Sequence, residues 1–166
     1  MGFKKTSDLI AVSFRVDESA ANTFTQEEVA LQLDVLNNEI FVVLAVDLNP
    51  SAPDLIPAAT TASECAVTST SQTALATLAS SNTVAVASQA IVSDAASSVS
   101  FTRAAEESFS GALDYVALIA TNNFFVGIKG NNNTGAKNVT GRVWGYRAKA
   151  DSSTYAALVQ SEVLSA

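Results

Sequence analysis

The sequence has no histidine and a single cysteine, Cys65, among its 166 residues. Histidine is the most frequent general acid–base and the commonest metal ligand. Without it, and with one thiol, the usual catalytic triads, zinc sites and thiol relays have no residues to build from. One odd cysteine fits a reducing compartment or a packed thiol, not a disulfide framework. Aromatic side chains are sparse, with one Trp and three Tyr beside eight Phe. No apolar run approaches the ~20 residues that span a bilayer. Met1 to Ile10 carries two lysines but no long apolar stretch or cleavage site, so no secretion signal is read there.

Charge is the other shortage. Charged residues make up 15% of the chain, against the ~25% usual in soluble domains. Much of the surface must therefore be Ser, Thr, Asn and small apolar side chains. Such a surface gives up little side-chain entropy when another surface covers it, so extensive self-association is compatible with it. What charge there is lies unevenly. Residues 1–114 hold four bases against fourteen acids, and residues 115–166 hold five bases against two acids. Opposite signs in two parts of one chain can help identical subunits meet. A net charge of −7 with no basic block argues against nucleic acid as the main partner.

What is present is strand pattern. Residues 1–24 read as a leader. Within it Ser7 and Asp8 could cap a helical turn, or Ile10, Val12, Phe14 and Val16 could alternate as a strand. Val29, Leu31, Leu33 and Val35 alternate with polar neighbours and predict a half-buried strand, followed by a turn at Asn37-Asn38. Ile40 to Val46 is a continuous apolar run, the mark of a strand covered on both faces, expected to end at Asp47. The three prolines, Pro50, Pro53 and Pro57, predict a rigid loop, because proline cannot donate to a ladder. Residues 58–100 are rich in Ser, Ala and Thr, with Val and Ile recurring at intervals that suit short strands joined by polar turns. Thr73 to Leu78 could add one helical turn.

Further on, Asp114 to Ala120 and Phe124 to Ile128 read as two strands around Asn122-Asn123. Gly130-Asn131-Asn132-Asn133-Thr134-Gly135 predicts an exposed tip with residues suited to positive φ. Val139 to Ala150 reads as a long strand, and Asp151 as the cap of a helix with Tyr155, Leu158, Val159 and Glu162-Val163 on one mostly apolar stripe. About eight strands and no strand–helix alternation predict an all-β, antiparallel sandwich over residues 25–150, with the leader before it and the helix of 151–166 after it.

Candidate chemistry is thin. Glu27-Glu28 and Glu106-Glu107 are neighbours on strands, so each pair points to opposite faces and forms no acid–base dyad. Asp47, Asn49 and Asp54 could offer oxygens to a structural Ca²⁺, which needs six to eight of them, although the spacing matches no established loop. No other cofactor is expected. Trp144 and Tyr146, with Asn131, Asn132 and Asn133, could form a ligand contact, since an aromatic on a strand can stack a sugar or base. No residue can be named as acid, base or nucleophile, so an enzyme is not expected.

The layout of leader, Val29–Val46 strands, Ser/Thr/Ala-rich middle, Phe124–Ile128 strand, Gly130–Gly135 loop and Arg142–Lys149 strand before a terminal helix resembles the small single jelly-roll capsid proteins of icosahedral viruses. That resemblance implies a jelly roll of two four-stranded sheets, identical subunits that form capsomers of a virion, and no catalytic site. Such proteins often carry an Arg/Lys-rich arm when they package naked nucleic acid, whereas only Lys4, Lys5 and Arg15 stand in this leader. The genome would then be enclosed by a membrane or by other virion proteins, or this subunit would be an outer-shell component. Assembly is expected through Phe3, Leu9, Ile10 and Phe14 of the leader and Tyr155, Leu158, Val159 and Val163 of the helix. The alternatives are a carbohydrate-binding or adhesin-like sandwich module, and a filament or phage-tail subunit.

Overall fold

A continuous apolar run and a glycine-bearing strand lie side by side at the centre of this molecule. They are β4 (Glu39–Pro50) and β11 (Asn138–Ala150), antiparallel over most of their length. The computed structural model describes residues 2–103, 105–108 and 114–165. β1 (Phe3–Lys5) and β2 (Ile10–Asp17) share the far edge of β11, while β8 (Ala105–Ser108) and β9 (Ala117–Ile119) share the far edge of β4. A second sheet runs β3 (Thr25–Ala30), β10 (Asn123–Asn131), β5 (Thr60–Thr68), β6 (Thr83–Ser93), β7 (Ser98–Arg103), antiparallel throughout. The order β2-β11-β4-β8 against β3-β10-β5-β6 is that of a jelly roll. The expected antiparallel sandwich is therefore present, with β1, β7 and β9 added at its edges, so that the sheets have six and five strands where four each were expected.

The interior follows from alternation along these strands. Phe41 and Val43 point inward, then Val46 and Leu48 do. The switch from odd to even positions needs an extra residue, and Leu44 supplies it. The register passes from Val43↔Gly145 to Ala45↔Trp144, a β-bulge. Across the interior lie Cys65 and Val67 of β5 and Phe124, Val126 and Ile128 of β10, all buried. Burial pushes the Cys65 thiol up to about 12. Gly145 is required where it stands, because a Cβ there would collide with the Val42 carbonyl and the Phe41 ring.

A second, smaller core lies on the outer face of the β4 sheet. Ile40 and Val42, on the opposite side of β4 from Phe41, pack with Ala148 and Ala150 under the helix α1 (Ser152–Ser165). Asp151 starts the helix by accepting from the Thr154 amide at 2.7 Å and the Ser153 hydroxyl at 3.0 Å. Those bonds, the Thr154 amide first, hold its carboxyl below the usual range. Tyr155, Leu158 and Val159 face the sheet, each half-buried apolar side chain contributing on the order of 1 kcal/mol. One turn on, Glu162 is buried, and its carboxylate accepts from the Ala120 and Thr121 amides at 3.0 and 3.1 Å.

Several expectations change. The alternation of Val29 to Val35 is real as burial at Leu31 and Leu33 but not as a ladder: β3 ends at Ala30, Gln32 takes a φ of 53°, and Val35 is exposed in a 3-10 turn. The chain is crossing between sheets there, held by the Arg147 guanidinium donating to the Leu31 and Gln32 carbonyls. The strand expected to end at Asp47 runs on to Pro50, whose missing N–H costs nothing at a strand end. Residues 73–78 form no helical turn but part of the irregular loop that joins the neighbouring strands β5 and β6. In the 114–120 stretch only Ala117–Ile119 is strand.

Candidate functional site

Seen from the sequence, the assembly residues were the leader and the helix, and the fold uses most of them internally. Residues 10–17 are a strand, which decides between the two readings of this stretch. β2 supplies Val16, buried to 1%, and Phe14, whose ring meets Phe124 edge-on at 5.9 Å. Phe3 meets Tyr115 edge-on at 6.0 Å over the second core, and Ile10 is half-buried in register with Gly145. Removing residues 1–16 would therefore strip the edge of β11 and open the interior. A chain without these residues is not expected to persist as a folded monomer. Tyr155, Leu158 and Val159 are likewise occupied by their own sheet. Leu9 and Val163 are exposed, the latter to 65%, with Leu164 beside it.

The Asn131–Asn133 tip is also committed. Asn131 donates to Glu64, Asn132 to the Thr60 carbonyl and Asn133 to the Ala62 carbonyl. Asn133 is buried and exchanges two further bonds with Asn22. Two carboxylates lock the same loop. Glu18 is buried and accepts from the amides of Thr23, Gly130 and Lys137. Asp54 accepts from the Lys137 ammonium at 2.7 Å and from the Thr134 amide and hydroxyl, both at 2.9 Å. Lys137 above all, then Thr134, holds the Asp54 carboxyl far below the usual range. The tip is exposed at Asn132, Thr134 and Gly135, and Asn132 takes the expected positive φ, but the loop is pinned and its three asparagine side chains are already engaged. Nor do Asp47, Asn49 and Asp54 form a cation cage. Asp54 is engaged by Lys137, and Asp47 and Asn49 sit on β4 facing Trp144.

Trp144 and Tyr146 part company as well. Tyr146 joins the second core, with the Lys5 ammonium 5.0 Å from its ring. Trp144 remains half-exposed in an open depression of about 440 Å³, with Asp47, Asn49, Thr140, Arg142 and Ser13 around it. Arg142 lies 5.4 Å from the ring centre and donates to Ser13. The arrangement could hold a small polar ligand against an aromatic face.

The surface the sequence did not single out is an edge. A bare strand edge offers unpaired N–H and C=O groups to other chains, and proteins usually guard it with charge or keep it short. β1 carries Lys4 and Lys5, β2 carries Arg15 and Asp17, and β3 carries Glu27 and Glu28, while β8 has four residues. β9 has three residues. β7 has six residues, and its single charge, Arg103, stands at the last position. All six are exposed, with Val99 at 57% and Phe101 at 58% on one face, and Val92 of β6 lies opposite Val99. The alternation Val99-Ser100-Phe101-Thr102 is the signal that marks this strand, hidden in a Ser/Ala-rich stretch.

No family model and no curated protein matches the chain. Among solved structures, a chain from Desmodium yellow mottle tymovirus is similar at 11% identity, over 88% of this chain and 91% of that one. The TM-score of 0.29 is too low for that likeness to carry any conclusion about function. Among the described residues no helix is long and apolar enough to cross a membrane, and no three Cys, Asp or Glu side chains cluster as metal ligands would.

Proposed function

We propose that this chain is a structural subunit that assembles with copies of itself into the shell of a virion, acting by surface burial and not by catalysis. The unguarded β7 edge carries the reading. A six-residue strand with Val99 and Phe101 in solvent is a liability in a solitary protein and an asset in a subunit whose neighbours cover it. The low charge of the surface works in the same direction. Jelly rolls serve as shell subunits and as lectins, so the fold admits the role without deciding it. Other virion proteins are the expected further partners, and nucleic acid is not a main one. A filament or tail subunit would use the same edge with helical order.

The test is the mass of the purified full chain by light scattering, with negative-stain imaging of the same sample. Closed shells, rings or discrete capsomers are expected. Tubes would move the reading to a filament, and a ~17 kDa particle across salt and Ca²⁺ conditions would end it.

The depression around Trp144 favours a second reading, a carbohydrate-binding module. Asp47, Asn49 and Arg142 would hydrogen-bond a sugar lying against the indole. Retention on a glycan array that Trp144→Ala abolishes would support it, and an array without signal would discard it.

A further inference from the structure

We infer that β7 is a homotypic contact: two copies of this chain pair their β7 strands antiparallel across a two-fold axis, joining their β7-edged sheets into one. The inference rests on the self-assembly proposed above and names the partner of its edge.

Three observations select a second copy as the occupant. First, the sheet is antiparallel at every step up to β7, so an antiparallel addition continues its own geometry. A two-fold axis normal to the sheet supplies that pairing from identical strands, and isologous two-fold contacts are the commonest between identical subunits. Second, the side chains match themselves. With Ser100 on the axis, Val99 of one copy lies opposite Phe101 of the other on one face, extended by Val92 behind each Val99. The other face brings Ser98 opposite Thr102. Third, the charges agree. Arg103 of one copy falls opposite Ser97 of the second, in the turn that carries Asp94. Asp94 is an exposed carboxylate held ionised by the Ala96 and Ser97 amides. The two Arg103 side chains sit at opposite ends of the pair. Pairing β7 with the other edge of its sheet between copies in the same orientation would instead be parallel.

A six-residue strand pair covers less than the ~1,200 Å² at the low end of stable interfaces. The contact is therefore one of several in a shell and calls for a trap.

Single cysteines supply the trap, because the native Cys65 is buried. Cα atoms on paired antiparallel strands are about 4.5–5.5 Å apart, inside the range that a disulfide bridges. The full chain is prepared as Ser100→Cys, Ser98→Cys and Thr102→Cys and oxidised under assembly conditions. Ser100→Cys is expected to convert mostly to a disulfide-linked dimer. Ser98→Cys and Thr102→Cys are each expected to stay unlinked alone and to link when mixed. Equal linking of all three single variants would mean random collision and would overturn the pairing. Particles that form while Ser100→Cys stays unlinked would overturn it too, and leave the shell reading standing. A Ser100→Cys dimer from a protein that forms nothing larger would sustain the pairing and sink the shell.

Discussion

The two sheets of this sandwich are finished in different ways. The β4 sheet is closed by its own chain: α1 packs on its outer face, β1 and β2 share one edge, and the short strands β8 and β9 share the other. The other sheet has Glu27 and Glu28 on its β3 edge and nothing comparable on β7. The same chain thus guards one edge and leaves another bare. Packing does not account for the difference, since both sheets share one interior and one packing chemistry. On the proposed reading, the surfaces needed for folding are covered within the chain, and the remaining edge is the one a neighbouring copy would cover.

The largest effect should come from guarding the bare edge. Phe101→Lys places a charge on β7, as the other long edges have. Association should fall at least tenfold by sedimentation, while unfolding shifts within ~0.5 kcal/mol, because Phe101 is mostly exposed. The converse change is Glu27→Val with Glu28→Thr, which bares β3. Electron microscopy should then show open polymers or aggregates in place of the discrete particles expected of the parent.

Uncovering the closed sheet is the next step down. Glu162→Ala leaves the Ala120 and Thr121 amides without their acceptor and should cost about 2 kcal/mol in chemical denaturation. Faster amide exchange along α1 and at Ala120 should accompany it. Smaller still is the acid response of the pinned loop. The Asp54 carboxyl is depressed in the folded state, so its contribution is complete above the unfolded value near 4 and fades as pH falls through the folded one. The Thr134 and Gly135 amide resonances should hold their positions down to about pH 4 and move only in stronger acid. In Asp54→Asn that late transition should vanish. Last, Cys65 should ignore thiol reagents at pH 8 until the protein unfolds, since its thiol is buried and raised to about 12.

Much of this fold is legible in the residues themselves. Ile40 to Val46 is apolar on both parities because one face meets the interior and the other meets α1, and Asp151 announces the helix. The parity switch between Val43 and Val46 is readable afterwards as a bulge, yet a run of seven apolar residues conceals it. Leu31 and Leu33 mislead for a related reason: alternation reports burial, and burial does not require a ladder. Sites were harder to read than strands. Phe14, Tyr155 and the three asparagines look like contact residues, and each is consumed by a partner far away in sequence. Edge position, the property that distinguishes β7, belongs to the sheet order and is invisible in Ser98–Arg103 alone.

The most direct measurement is hydrogen–deuterium exchange of the full chain in its assembled and dissociated forms. The amides of β7 that point away from β6 should exchange quickly in the free subunit and become protected by an order of magnitude or more on assembly, with β3 unchanged. Protection that arises elsewhere while β7 goes on exchanging at the free rate would contradict the account.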